Sequence, residues 1–132
     1  MVSFGHNDAN RAKAERYVPA DAFGESLRPF WDAARSHGAV CIFVSPVAMR
    51  EFDEAGVCHP SFAAYREAMR AFAAEVGAPF IDLGAATAAA NTAFGAERCK
   101  ARYMWVGAKQ DNAHQQNAGA CRTAQAFVQQ LL

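Results

Sequence analysis

The chain has 132 residues, of which 52% are hydrophobic and 20% charged; this bounds it at one ordinary globular domain and excludes a disordered chain. Its 13 Lys and Arg balance 13 Asp and Glu with no block of like charge, which argues against a nucleic-acid or anionic-membrane partner. No apolar run approaches the ~20 residues of a membrane span, and Met1 leads directly into Val2-Ser3-Phe4-Gly5 with no signal peptide, so the localisation stays open.

In chain order, Met1-Val2-Ser3-Phe4 reads as the end of a strand, and Gly5-His6-Asn7-Asp8 as a tight polar turn. Residues 9–24 have no clear period and read as an exposed loop. From Glu25 to Ser36 the positions Leu27, Phe30, Trp31 and Ala34 repeat at helical spacing, and His37-Gly38 ends that helix. The continuous apolar run Ala39–Val44 predicts a strand buried on both faces, as in parallel sheets. A loop from Pro46 to Pro60 precedes an amphipathic helix over Ser61–Val76, with Phe62, Tyr65, Met69, Phe72 and Val76 on one stripe and Gly77 as its cap. Pro79–Leu83 reads as the next strand, residues 85–98 as an alanine-rich helix, 99–110 as irregular, and Ala118–Leu132 as a final helix. Alternation of this kind predicts an α/β fold with right-handed crossovers. Its sites lie at the carboxyl ends of the strands, where Gly5–Asp8, Ser45-Pro46 and the loop carrying Asp111 and His114 are expected together.

The cysteines, Cys41, Cys58, Cys99 and Cys121, form no CxxC pair, which argues against a zinc ribbon or redox motif. Cys41 reads as a buried small hydrophobe; the other three are open to pairing in an oxidising compartment. Cys58-His59 has no second pair at ligand spacing, so no metal is expected. His6, His37 and His59 read as structural or surface residues. Ser45 ends a strand but is followed by Pro46 rather than a glycine-flanked turn, so it is read as structural rather than nucleophilic.

The most informative stretch is Gln110–Ala120. Asp111 and His114 stand three positions apart, close enough for one turn of backbone to bring them face to face. A carboxylate that accepts the Nδ1 proton of an imidazole fixes its tautomer and leaves Nε2 as a base. That is two thirds of a nucleophilic triad. The plainer alternative is a polar loop with a capping Asp and an exposed His.

Phe4-Gly5-His6-Asn7-Asp8 resembles the third block of the SGNH (GDSL-type) hydrolases, and Asp111-Asn112-Ala113-His114 resembles their final Asp-x-x-His block. Ser45-Pro46-Val47 with Arg50 and Phe52, then Tyr65–Met69 and Ala78–Leu83, are similar to the rhamnogalacturonan acetylesterase branch. The resemblance runs from Ser3 to the end. It implies a three-layer α/β/α, flavodoxin-like parallel sheet, with residues 1–132 as the C-terminal part of an SGNH hydrolase domain truncated at its N-terminus. It makes His114 the base, Asp111 its orienter and Asn7 an oxyanion donor; Asn7 has an Asx-turn as its plainer reading. Gly5 would let the backbone bend close to the substrate, and Asp8 would brace the turn. The implied reaction is Ser-His-Asp hydrolysis of an acetylated carbohydrate or other small ester, with no cofactor and no metal.

The family's Gly-Asp-Ser block, which carries the nucleophile, and its oxyanion glycine block are not in this sequence and are expected upstream of Met1. Ala113 stands where relatives of this branch often carry Thr. The chain alone is therefore expected to be inactive, marginally stable, and prone to self-association through an exposed sheet edge. The competing expectation is a non-catalytic remnant that binds a glycan or a partner chain.

Overall fold

The computed structural model describes residues 1–131 and comprises two compact units, Met1–Pro46 with Phe62–Asp82, and Val47–Ser61 with Leu83–Leu132.

The first unit is built on parallel strands. β1 (Phe43–Val44) pairs in parallel with β2 (Phe80–Ile81), Phe43 opposite Phe80 and Val44 opposite Ile81. On the other side of β1, Val2 makes a parallel bridge to Phe43: its N–H donates to Ile42 O at 2.9 Å, and its carbonyl accepts from Val44 N at 2.9 Å. The strand stub expected at the start is thus reduced to a bridge, and the strands expected over 39–44 and 79–83 are two residues each. Parallel pairing requires crossovers, and α3 (Ala63–Val76) is the one between β1 and β2.

The α3 helix forms because Tyr65, Met69 and Phe72 recur on one face, and all three are buried. Together with Phe23, Leu27, Cys41, Phe43 and Ala73 they make the core; full burial of such a side chain contributes about 1.5–3 kcal/mol. The helix ends at Gly77, whose left-handed φ of 68° completes the cap.

Two expectations need correction here. Residues 20–24 are not loop but most of α1 (Ala20–Ser26), and the single helix over 25–36 is two, with α2 spanning Arg28–Ser36. Pro29 at the start of α2 has no N–H to continue the α1 ladder, which accounts for the break. Phe23, fully buried, holds α1 against α3.

In the second unit, α4 (Leu83–Phe94) and α5 (Ala96–Cys99) are followed by a 3₁₀ turn at Lys100–Arg102. Residues expected to be irregular then form β3 (Tyr103–Val106), which pairs antiparallel with β4 (Lys109–Gln115). The strand formers Tyr-Met-Trp-Val before the turn at Gly107 explain the hairpin. The last helix, α6, covers Asn117–Val128. Thr87 and Thr92 of α4 tie down the 47–61 segment, their hydroxyls accepting from Ala48 N and Cys58 N, each at 2.9 Å. Buried Tyr103 donates its hydroxyl to Ala48 O and accepts from Asn91 Nδ2, both at 2.8 Å. Burial pushes its phenol above the ordinary range.

All four cysteines are free thiols; Cys41, Cys58 and Cys99 are buried and Cys121 is exposed. No helix among the described residues is long and apolar enough to cross a membrane.

Candidate functional site

The Asp111–His114 pair sits in a break of the β3–β4 ladder. Tyr103 faces Gln115 and Met104 faces Asp111, so residues 112–114 have no ladder partner and bulge out of β4. Asp111 closes this bulge from within. Its Oδ1 accepts the backbone N–H groups of Ala113 and His114, both at 2.9 Å. Its Oδ2 lies 2.8 Å from Nδ1 of His114. The expected face-to-face pair is therefore present, and the turn of backbone that makes it is a bulge in β4.

The electrostatics follow from these contacts. The backbone N–H of His114, then that of Ala113, then the imidazole hold the Asp111 carboxyl well below the usual carboxylate range. An ionised Asp111 accepts from Nδ1–H, which leaves the lone pair of a neutral imidazole on Nε2. The Asp111 side chain is 17% exposed and that of His114 is 79% exposed. The carboxylate is thus sheltered while the imidazole is open to solvent. Lys109 approaches Asp111 Oδ2 at 3.4 Å; its place two residues earlier on the same strand face was the available signal, and sequence reasoning passed over it.

Gly5, Asn7 and Asp8 belong to the first unit. Asp8 Oδ2 accepts from Gly5 N at 2.9 Å, and Gly5 O accepts from Ala9 N at 3.0 Å, closing a tight turn. Gly5 has φ 125°, and a Cβ there would fall 2.6 Å from Pro46 Cγ, so no other residue fits without displacing the proline. Asn7 lies at the tip with an exposed side chain, its carbonyl accepting from Asn10 N at 3.1 Å. Tyr65 anchors the far end of this segment, donating to Val18 O at 2.6 Å. The His6 ring meets Phe62 edge-on at 4.8 Å. Phe62, at the start of α3, holds a left-handed φ of 56°, an arrangement that costs a bulky side chain about 1–3 kcal/mol; the sequence carried no signal for it.

Ser45 is fully buried and donates to Asp82 Oδ1 at 3.0 Å. Asp82 Oδ2 is in turn held by Arg66 at 3.0 Å and by Arg70. This cluster ties the carboxyl ends of β1 and β2 to α3. His37 bonds Ala33 O through Nδ1 at 2.8 Å, and His59 bonds Asp53 through Nε2 at 2.7 Å. Among the described residues no three His, Cys, Asp or Glu side chains group as metal ligands.

Comparison with known proteins gives a consistent result. Residues 1–120 match the model of the GDSL-like Lipase/Acylhydrolase family. The chain is 35% identical over 133 residues to rhamnogalacturonan acetylesterase RhgT of Bacillus subtilis, a match covering 94% of this chain and 56% of that protein. It is 34% identical over 121 residues to the probable rhamnogalacturonan acetylesterase YesY of the same organism, covering 91% and 55%. The chain thus spans about half the length of these curated relatives. Its fold superposes on the crystal structure of the B. subtilis protein YXIM with a TM-score of 0.85 at 29% identity, covering 98% of this chain and 35% of that one. An Asp-x-x-His bulge, a glycine-asparagine turn and parallel pairing between β1 and β2 accompany these matches: the chain belongs to the GDSL-like lipase/acylhydrolase family.

Proposed function

We propose that this chain supplies the base and its orienter for hydrolysis of a carboxylic ester, with an acetylated polysaccharide such as rhamnogalacturonan as the substrate. The observation that carries this reading is the 2.8 Å contact between Asp111 Oδ2 and His114 Nδ1, with Asp111 Oδ1 already engaged by two backbone N–H groups. In the proposed step, Nε2 of His114 takes the proton of an attacking hydroxyl as its oxygen bonds the ester carbonyl carbon. The imidazolium, stabilised by Asp111, returns that proton to the leaving alcohol as the carbon–oxygen bond breaks; water then releases the acyl group by the same route. The Asn7 amide would donate to the oxyanion, a contribution of ~3 kcal/mol where such donors have been removed. The resemblance assigns the attacking hydroxyl to a Gly-Asp-Ser serine, a tripeptide absent from this sequence. The isolated chain is therefore expected to hydrolyse no p-nitrophenyl acetate in a His114-dependent way.

The positive test is a chimera in which this chain is fused to the part of RhgT outside the match. Hydrolysis by the chimera that falls at least ~10³-fold on His114→Ala supports the reading. A chimera that keeps its rate in His114→Ala overturns it.

A second reading, self-association of a non-catalytic chain, draws on the sheet edge of the first unit. Val2 uses its N–H and C=O toward β1, so the flanking Met1 and Ser3 backbone groups face away from β1. Met1 is 75% exposed and Val40 74%, and exposed Phe4 rests on Phe30 with ring centroids 5.0 Å apart. Such an edge is a template for another strand.

A further inference from the structure

We propose that Arg50 is a positioning residue for the Asp111–His114 pair, acting through Asn112; the inference deepens the reading above and rests on it. A bulge has lost its ladder hydrogen bonds, so its shape must be set by other partners. From inside, Asp111 supplies two. From outside, three contacts converge on Asn112. Its carbonyl accepts the backbone N–H of Arg50 at 2.8 Å. Its Oδ1 accepts from Trp105 Nε1 at 2.9 Å and from Arg50 Nη1 at 3.4 Å. Asn112 is thereby clamped at backbone and side chain, one residue from the catalytic-type acid and two from the imidazole.

Arg50 is itself fixed. Its Nε and Nη2 both donate to Ala96 O, at 3.2 and 2.8 Å. Its guanidinium carbon stands 4.6 Å from the centre of the Trp105 ring, and its side chain is only 11% exposed. Each of these contacts uses a different feature of the guanidinium: two donors toward one carbonyl, a third toward the amide, and a flat face for the indole. An ammonium has neither the fork nor the face. The residue is spent entirely on protein contacts, so its effect on chemistry must pass through the bulge. Were Asn112 released, the N–H groups of Ala113 and His114 would no longer be presented together to Asp111 Oδ1, and Oδ2 would lose its aim at Nδ1.

The test is the tautomer of His114, read by long-range ¹H–¹⁵N correlation on the labelled full chain at about pH 8.5, where imidazoles are neutral, with His114→Gln used for assignment. The wild type is expected to show His114 as a single Nδ1–H tautomer. Arg50→Ala keeps the backbone bond to Asn112 but removes the Nη1 donor and the stack on Trp105, and is expected to convert His114 to a mixture that contains the Nε2–H form; Arg50→Lys should restore little, and Trp105→Phe, which removes one donor but keeps a ring, should also shift it. His59, bonded to Asp53 on another segment of the same unit, should not move; a loss of its signature together with that of His114 would show that Arg50 is merely structural and would overturn the proposal. Retention of the Nδ1–H form of His114 in Arg50→Ala would also overturn it. If Arg50→Ala fails to fold, Trp105→Phe and Asn112→Ala decide in its place, and an unchanged tautomer in both would sink the proposal. A wild type that shows no Nδ1–H tautomer would instead refute the base-and-orienter reading, and this proposal with it.

Discussion

Replacing Gly119 by Ala sets two familiar effects against each other at one atom. Gly119 is the third residue of α6, and exchanging a helical glycine for alanine ordinarily favours the helix, by up to about 1 kcal/mol at interior positions. Here, however, the new Cβ would stand 2.2 Å from Arg102 O, 3.1 Å from Arg102 C and 3.2 Å from Gln115 Cβ. A tolerable carbon–oxygen contact is ~3.3 Å or more, so the first turn of α6 must retreat by roughly 1 Å from a backbone carbonyl that cannot rotate away. Overpacking of this kind costs about 1–3 kcal/mol. The same carbonyl accepts from Gln116 N at 2.9 Å, and retreat would stretch that bond beyond use, a further loss of about 1 kcal/mol. The net expectation is destabilisation by about 1–3 kcal/mol. For a domain of this size the corresponding fall in melting midpoint is about 4–12 °C, followed by circular dichroism with urea unfolding as a second measure. A midpoint at or above that of the wild type would show that helix propensity outweighs the close approach, and the reasoning would fail.

Tyr103→Phe leaves Ala48 O and Asn91 Nδ2 without their buried hydroxyl, and a loss of about 1–3 kcal/mol is expected in urea unfolding. Because the Asp111 carboxyl is held below its ordinary value, its contribution is fully present above the unfolded-state pKa near 4 and is lost as pH falls toward the folded value. The urea midpoint should therefore fall as pH drops below about 4, and Asp111→Asn should flatten that part of the profile; parallel profiles would contradict the assignment. In the RhgT chimera, Asp111→Asn is expected to lower kcat by about 10⁴-fold through loss of the tautomer, whereas Ser45→Ala should leave kcat near that of the parent. Phe4→Lys should reduce any association of the isolated chain in analytical ultracentrifugation, since a charge on an edge strand disfavours pairing; unchanged sedimentation of an associated species would clear that edge of the role.

What could be read from the sequence was mostly what is local. Tyr65, Met69 and Phe72 announce α3 because a 3.6-residue period is a property of neighbours in the chain. Asp111 and His114 announce each other because three residues separate them. The turn at Gly5–Asp8 was legible for the same reason. The bulge that presents the pair was not, because it exists only once Tyr103 has paired with Gln115 and Met104 with Asp111. The clamp on Asn112 was further out of reach, since its donor lies 62 residues earlier. The break between α1 and α2 has its local mark in Pro29, and the β3–β4 hairpin has its own in the Tyr-Met-Trp-Val run. The left-handed Phe62 had no precursor in composition or spacing.

The distribution of thiols gives each compact unit its own reporter. Cys41 is buried in the first unit, Cys58 and Cys99 in the second, and Cys121 is exposed on α6. A maleimide dye will therefore tag Cys121 at once and the others only when their surroundings open. The rate at which Cys41 is labelled clocks opening of one half, and that of Cys58 and Cys99 the other. With Cys121 replaced by Ser, the slow phases become separable by mass spectrometry of the tagged peptides, and the chain measures the independence of its two halves without any added probe site.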